Sequence, residues 1–383
     1  MGEGGTILGI TAIIDINLDI NAYNYFKDDT RFLHVRGALV VDVNQDITRH
    51  KSPISHGGEC LKMYARGANR AADYFILLRG MEIGRRNIDD LVTALGWCIE
   101  NGVNIISLSM GTTDYRDMHK LSPIIERVSQ AGICIIAAAD NDGLLTYPAC
   151  LEQCIGVRVD SGQALGLSGF TYIASPHDGI NVIIAPYMLD GVTFNSNSFA
   201  TAYFAGLLVG SINVDDVYAN DINKWLVKNS KLINPADLYR PVYIDTGAHA
   251  NYENVVIIAA ENLSKPCDTD FYNKVQELFL NGEHYCLAIV PDNNTAMWTD
   301  FSRHIHKCSC LCTYSKFIEL LIRLCQPDVV IVDYEEFSTS CANADVVLLQ
   351  SDSSAAAEDA LVINIQYLSP KEVFDAITSY FNE

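Results

Sequence analysis

Short, predominantly apolar runs alternate with amphipathic stretches of helical period along two parts of this chain. In the first part the apolar runs fall at 7–14, 72–78, 103–108, 133–138 and 182–185, and each predicts a strand. Helical periodicity fills intervals between them at 57–68, 88–101 and 117–131, and resumes at 198–213. Strands that are apolar on both faces and separated by helices imply a parallel sheet covered on both sides, an α/β fold. Reactive groups in such sheets gather at the carboxyl ends of the strands.

Residues 230–252 break this rhythm with Pro, Gly and Asn. A second alternation follows, with predicted strands near 254–260, 286–290, 328–333, 345–349 and 361–365 and helices near 269–280, 314–325 and 370–381. The expected organisation is a domain over 1–232, a linker over 233–252, and a smaller doubly wound α/β domain over 253–383. That second domain holds neither G-x-x-x-x-G-K-[ST] nor G-x-G-x-x-G, so no nucleotide site is expected in it.

Composition narrows the function classes. A chain of 383 residues, 49% hydrophobic and 19% charged, has ample material for one large or two medium cores and is not a disordered chain. Its net charge is −21, divided as −9 over 1–225 and −12 over 226–383. This disfavours nucleic acid and anionic membrane as partners and favours cationic peptides. No apolar run approaches the roughly 20 residues that span a bilayer. The first twenty residues lack the Lys or Arg of a secretory n-region, and the twelve cysteines are spread through predicted strands and helices. A cytoplasmic protein with reduced thiols is expected. Gly2 with Thr6 formally fits a myristoylation pattern, but Thr6 leads straight into the first strand, and no lipid anchor is expected.

Four polar residues sit at element edges where chemistry collects. Asp15 ends the run ILGITAIID; His56 opens a predicted helix and is followed by Gly57 and Gly58. Asn141 follows the strand run ICIIAAAD, and Ser198 begins the small-residue helix of NSNSFATAYFAG. Taken singly, Asp15 reads as well as a cap of the next segment, His56 as a surface cap, and Ser198 as a plain N-cap serine. Together, the order Asp, His, Ser is one in which nucleophilic triads are assembled. A side-chain amide at a strand end such as Asn141 is suited to holding an oxyanion.

These stretches, with NIISLSMG at 104–111, AAADNDG before YPA, and HGGE around His56, resemble the subtilisin family of serine proteases. The resemblance covers about residues 6–230. It implies a subtilisin-like parallel sheet with helices on both faces. It implies Ser198 as nucleophile, His56 as general base and acid, and Asp15 as the carboxylate orienting His56. Asn141 and the Ser198 main-chain N–H would hold the oxyanion, and Ser109, Met110 and Gly111 would pair with an extended peptide substrate. No cofactor and no required metal are expected. Secreted members of the family carry an N-terminal chaperone-like propeptide; with a first strand predicted from about residue 6, an intracellular enzyme folding without one is expected.

The chain departs from the family pattern at several positions. Asn17 stands where the family usually has Gly, and Gly58-Glu59 where it has Thr-His. Ser196-Asn197 replaces Gly-Thr before the nucleophile, and Phe199 follows it in place of Met. Loss of that glycine raises the question of strain at the nucleophile turn. Asp140 replaces the Gly before Asn141, and with Asp142 it suggests a preference for Lys or Arg before the cleaved bond, unless these carboxylates face solvent.

In the second domain, Glu261-Asn262, Asp292-Asn293, Asp333-Tyr334-Glu335, Ser351-Asp352 and Gln366-Tyr367 follow predicted strands. They are read either as an acidic crevice gripping substrate or a partner protein, or as solvated loop tips. The alternating HIHKCSCLC at 304–312 lacks C-x-x-C spacing and fits core or interface packing better than a metal site. The expected function is intracellular serine endopeptidase, suited to limited processing of a peptide or protein precursor such as leader removal. The rival is a degenerate relative that binds peptide without cleaving it.

Overall fold

Five consecutive buried residues, Thr11–Asp15, form the central strand β1. In chain order the first unit then contains α1 (Ile20–Phe26), β2 (Arg31–Arg36), β3 (Leu39–Asp42), α2 (His56–Ala68), β4 (Tyr74–Leu77), α3 (Ile88–Glu100) and β5 (Ile105–Leu108). It continues with α4 (Met118–Gln130), β6 (Cys134–Ala138), β7 (Cys154–Val159), β8 (Phe170–Tyr172) and β9 (Val182–Ile184). A hairpin of β10 (Tyr187–Leu189) and β11 (Val192–Phe194) precedes α5 (Asn197–Ser211) and α6 (Ala219–Asn229). This computed structural model describes residues 9–43, 55–79, 88–141, 143–174, 176, 178–189, 192–194, 196–211, 219–233, 255–261, 269–282, 284–291, 302–305, 318, 322, 325–333, 344–350 and 360–382. The chain divides into two units, Met1–Pro241 and Val242–Glu383.

The sheet of the first unit runs β3-β2-β4-β1-β5-β6-β7-β9-β8. Every pairing from β2 to β9 is parallel; only the edge strands β3 and β8 are antiparallel to their neighbours. The apolar runs predicted as strands from 72–78, 103–108, 133–138 and 182–185 all lie in this sheet, each shortened by one to three residues. Residues 7 and 8 of the first predicted strand lie outside the described residues. The strands that the pattern missed have mixed or exposed character. β3 is half-exposed along its length, and β7 interrupts its apolar run with Gly156 and Arg158.

Successive strand residues serve opposite layers. Ile13 packs in a core with Leu61 and Tyr64 of α2 and with Phe204 and Leu208 of α5. Ala12 and Ile14 are equally buried but lie outside that core, on the opposite face of the strand. Helix α5 is apolar nearly all round because it is buried nearly all round. Each of its fully buried Phe204 and Leu208 side chains contributes about 1.5–3 kcal/mol.

Helices α2 and α5 approach more closely than side chains permit. A Cβ on Gly67 would lie 2.4 Å from the Tyr203 carbonyl oxygen, and one on Gly206 would lie 2.3 Å from that of Tyr64. Contacts advance in the same direction along both helices, from Cys60 with Ser198 to Gly67 with Gly206. Their N-termini therefore sit together.

The second unit is a six-stranded sheet, wholly parallel, ordered β14-β13-β15-β12-β16-β17. Its strands are β12 (Val256–Ala260), β13 (Cys286–Pro291), β14 (Ser302–Ile305), β15 (Val329–Asp333), β16 (Val346–Leu349) and β17 (Leu361–Asn364). Helices α7 (Thr269–Asn281) and α8 (Pro370–Asn382) pack on its core through Tyr272, Val275, Phe279, Val373 and Ile377. The helix predicted at 314–325 lies mostly outside the described residues; Ile318, Ile322 and Cys325 within it are helical. Residues 306–312 of the His/Cys run are outside as well. The seven described cysteines, Cys60, Cys98, Cys134, Cys150, Cys154, Cys286 and Cys325, are free thiols. Among the described residues no helix is long and apolar enough to cross a membrane.

The glycine contact is directly testable. Gly206→Val forces α2 and α5 apart and is expected to lower the stability of the first unit by at least about 2 kcal/mol. Denaturant unfolding measures this, and an unchanged midpoint refutes the close helix approach.

Candidate functional site

Asp15 is the last residue of β1, where that strand leaves the sheet. Its side chain is only 1% exposed and accepts the following N–H, that of Ile16, at 2.7 Å. His56 is the first residue of α2 and presents Nδ1 to the Asp15 oxygens at 2.9 and 3.1 Å. A carboxylate at that distance accepts the Nδ1 proton, so Nε2 is the nitrogen without one. The imidazole is about one-third exposed, so its far side is open to a reactant.

The placement of His56 follows from a set of local bonds. Ser55 caps α2 by accepting Gly58 N–H. The same hydroxyl donates to Asp19 at 2.7 Å, and Asp19 also accepts the N–H groups of Ser55, Asn21 and Ala22. One buried carboxylate thus caps α1 and holds the start of α2. Burial pushes the Asp19 carboxyl up, but the hydrogen bonds from Ala22, the Ser55 side chain, the Ser55 N–H and Asn21 outweigh it and hold it below its ordinary range. Asn17 is not in a left-handed conformation. Its side-chain oxygen accepts Gly57 N–H at 3.0 Å. Gly57 and Gly58 are required by space: a Cβ on the first would lie 2.1 Å from the Asn17 carbonyl oxygen, and one on the second 2.4 Å from Asp19.

Ser198 is the second residue of α5, where main-chain N–H groups lack intrahelical acceptors. It is 7% exposed, and its hydroxyl donates to the main-chain oxygen of Ser109 at 2.9 Å. Cys60, one helical turn after His56, touches both residues: its sulfur lies 4.0 Å from His56 Nδ1 and 4.0 Å from the Ser198 carbonyl oxygen. Burial, reinforced by the nearby Asp15 charge, pushes the Cys60 thiol well up and keeps it neutral. The Phe199 ring lies 5.3 Å from the imidazole, tilted by 31°.

Asn141 follows β6 and is exposed. Its side-chain oxygen accepts the Asn197 main-chain N–H at 3.0 Å, which leaves the amide –NH2 as the outward donor. Ser109, Met110 and Gly111 continue from β5 beside Thr146 and Tyr147. Gly111 has no room for a Cβ, which would lie 2.6 Å from the Tyr147 carbonyl oxygen, and Thr112 pairs with Tyr147 through two 2.8 Å hydrogen bonds. Asp140 is half-buried; its N–H donates to Thr146 Oγ1 and its carboxylate accepts Leu144 N–H at 3.4 Å. Asp142 lies outside the described residues.

The site includes residues that the motif reading did not assign. Cys60 was legible as the i+4 neighbour of His56 on one helix face. Asn197 was visible only as a departure. The Asp19–Ser55 pair, 36 positions apart, carried no signal beyond a serine before a helix.

No protein-family model matches the chain. A thermostable alkaline protease of Halalkalibacterium halodurans is 28% identical over 131 residues, 32% of this chain and 35% of that protein. The chain thus spans about a third of the length of the curated relative it matches. Similar solved structures include the prenylagaramide maturation protease PagA, with 19% identity, a TM-score of 0.38, and 60% of this chain and 86% of that one covered. A lanthipeptide protease follows, with 14% identity, a TM-score of 0.44 and coverage of 59% and 81%. The nisin leader peptidase NisP from Lactococcus lactis has 14% identity, a TM-score of 0.42 and coverage of 61% and 87%. The chain resembles subtilisin-like proteases in its motifs and in its match to the alkaline protease.

The clamp around Asp19 has a pH signature. Its folded-state carboxyl is held low, so its contribution is complete above the unfolded value near 4 and is lost as pH falls through the lowered folded value. Asp19→Ala is expected to cost about 1–2 kcal/mol at pH 7. Urea unfolding at pH 7 and in the acid range should show the gap between the two proteins narrowing at low pH; a gap that widens on acidification contradicts the clamp.

Proposed function

We propose that this protein is a serine endopeptidase acting through Asp15, His56 and Ser198. The observation that carries this reading is the buried Asp15 carboxylate 2.9 Å from His56 Nδ1, beside a Cys60 sulfur that lies 4.0 Å from that nitrogen and 4.0 Å from the Ser198 main-chain oxygen. The Ser198 hydroxyl turns from the Ser109 oxygen toward His56 Nε2 and attacks the scissile carbonyl as His56 takes its proton. Asp15 stabilises the imidazolium, and the Asn141 amide with the Ser198 N–H holds the oxyanion. His56 then returns the proton to the leaving amine, and water cleaves the acyl-enzyme by the same steps in reverse.

The substrate in this proposal is a specific peptide or protein precursor, cleaved once inside the cell, with leader removal from a modified peptide as the setting. The net charge of −21 supports a cationic segment as the recognised part. Ser109, Met110 and Gly111 pair with the extended substrate, and Asp140 reads Lys or Arg before the cleaved bond. The domain over 253–383 serves recognition or assembly. The Ser198 proton directed to Ser109 favours a second reading, a peptide-binding protein that cleaves nothing.

A fluorophosphonate probe separates the two. Labelling of the wild-type protein that vanishes in Ser198→Ala is the expected result, with peptide hydrolysis in Ser198→Ala or His56→Ala lower by about 10^6 in kcat. Folded wild-type protein that takes no label supports the binder. For specificity, cleavage of a peptide library should favour Lys or Arg, and Asp140→Asn should reduce that preference about tenfold. A preference for large apolar residues rejects the role given to Asp140.

A further inference from the structure

Asn197 does something that neither its type nor its neighbours announce. It is 8% exposed and uses its whole side-chain amide inside the protein. The oxygen accepts Val159 N–H, at the end of β7, at 2.8 Å. The –NH2 donates to the carbonyl oxygens of Ala139 at 3.2 Å and Asp140 at 2.9 Å, on the chain leaving β6. The β6–β7 ladder continues as far as the Ala139 N–H, which donates to Val157 O at 2.9 Å, and beyond it the two strands part. The Asn197 amide inserts at that fork and stands in for a peptide group, satisfying one strand's donor and the other's acceptors.

The same residue meets the candidate oxyanion site from its main chain. Its N–H holds the Asn141 side-chain oxygen at 3.0 Å, and the next residue along the helix is Ser198. Side-chain bonds from Asn197 fix the segment that bears Asn141, and its main-chain N–H fixes the Asn141 amide itself. Nucleophile and oxyanion donor are thereby referenced to one buried side chain. Subtilases usually have threonine here, whose single hydroxyl cannot make these three bonds.

We propose that Asn197 is a positioning residue that holds the Asn141 amide in register with Ser198 for the tetrahedral intermediate. This rests on the proteolytic reading above. Asn197 acts on the reaction only through Asn141 and the 139–141 backbone, so its effect belongs in kcat rather than in KM. Removing an oxyanion donor outright lowers kcat about 10^2–10^3-fold, which bounds the effect of merely misplacing it.

The test is a double-mutant cycle on the full chain, with an Arg-containing peptide p-nitroanilide as substrate and the fluorophosphonate labelling rate as a second readout. Asn197→Ala is expected to lower kcat about 10–100-fold with KM within about threefold. In an Asn141→Ala background the same change should lower kcat by less than about threefold, because the group it positions is gone. Circular dichroism melts establish folding. Asn197→Ser, which keeps a polar atom at the fork, carries the cycle should the alanine variant not fold. Multiplicative losses in the cycle, or a loss confined to KM, overturn the positioning role while leaving the protease in place. Folded wild-type protein that neither labels nor hydrolyses overturns the proteolytic reading, and this role with it.

Discussion

The near contact of two helices on one face of a parallel sheet underlies the candidate site. At Gly67 and Gly206, α2 and α5 touch backbone to backbone, so the two helices are in register from their first turns onward. A side chain at either position would push the two helices apart toward the C-terminal end of α2 and disturb the packing on which both N-termini rest. The sheet supplies the third partner, because β1 ends beneath the start of α2 and delivers Asp15 there. Cys60 packs beside both residues as a neutral, buried thiol.

Polar groups near this junction are satisfied by side chains from distant parts of the chain. Asp19 and Ser55 close one such group, Asn17 and Gly57 a second, and Asn197 with β6 and β7 a third. Buried hydrogen-bond networks rigidify when every member is paired and destabilise when one is not. Two positions that differ from the subtilase pattern, Asn17 and Asn197, take part in these networks. Asn17 replaces a flexible glycine with a side-chain bond to the helix that bears His56. Asn197 replaces a single hydroxyl with an amide that makes three bonds.

The second unit obeys the same sheet rule with a different outcome at its strand ends. Glu261, which the sequence offers as part of an acidic crevice, accepts Gln350 N–H through its carboxylate, and its main-chain oxygen accepts the Tyr272 hydroxyl. It ties the ends of β12 and β16 together. Asn262, Asp292, Asn293, Tyr334, Glu335, Ser351 and Asp352 lie outside the described residues.

By itself the sequence determined the parallel strands and the long helices. Uninterrupted runs such as those of β5 and β6 are stable only where both faces are covered, and the period of α4 has one apolar stripe to bury. It also placed Asp15, His56, Asn141 and Ser198 at element edges, because local propensity sets where elements stop. Edge strands such as β3, the seven-residue α1, and β7 with its Gly156 and Arg158 were not legible, since their stability comes from neighbours in the sheet rather than from their own pattern. Only the tertiary structure decided that Asp19 meets Ser55 and that Asn197 meets Val159, pairs 36 and 38 residues apart. A hydrogen bond between such residues exists only after the sheet and its helices have packed, and nothing in the spacing of the letters encodes it.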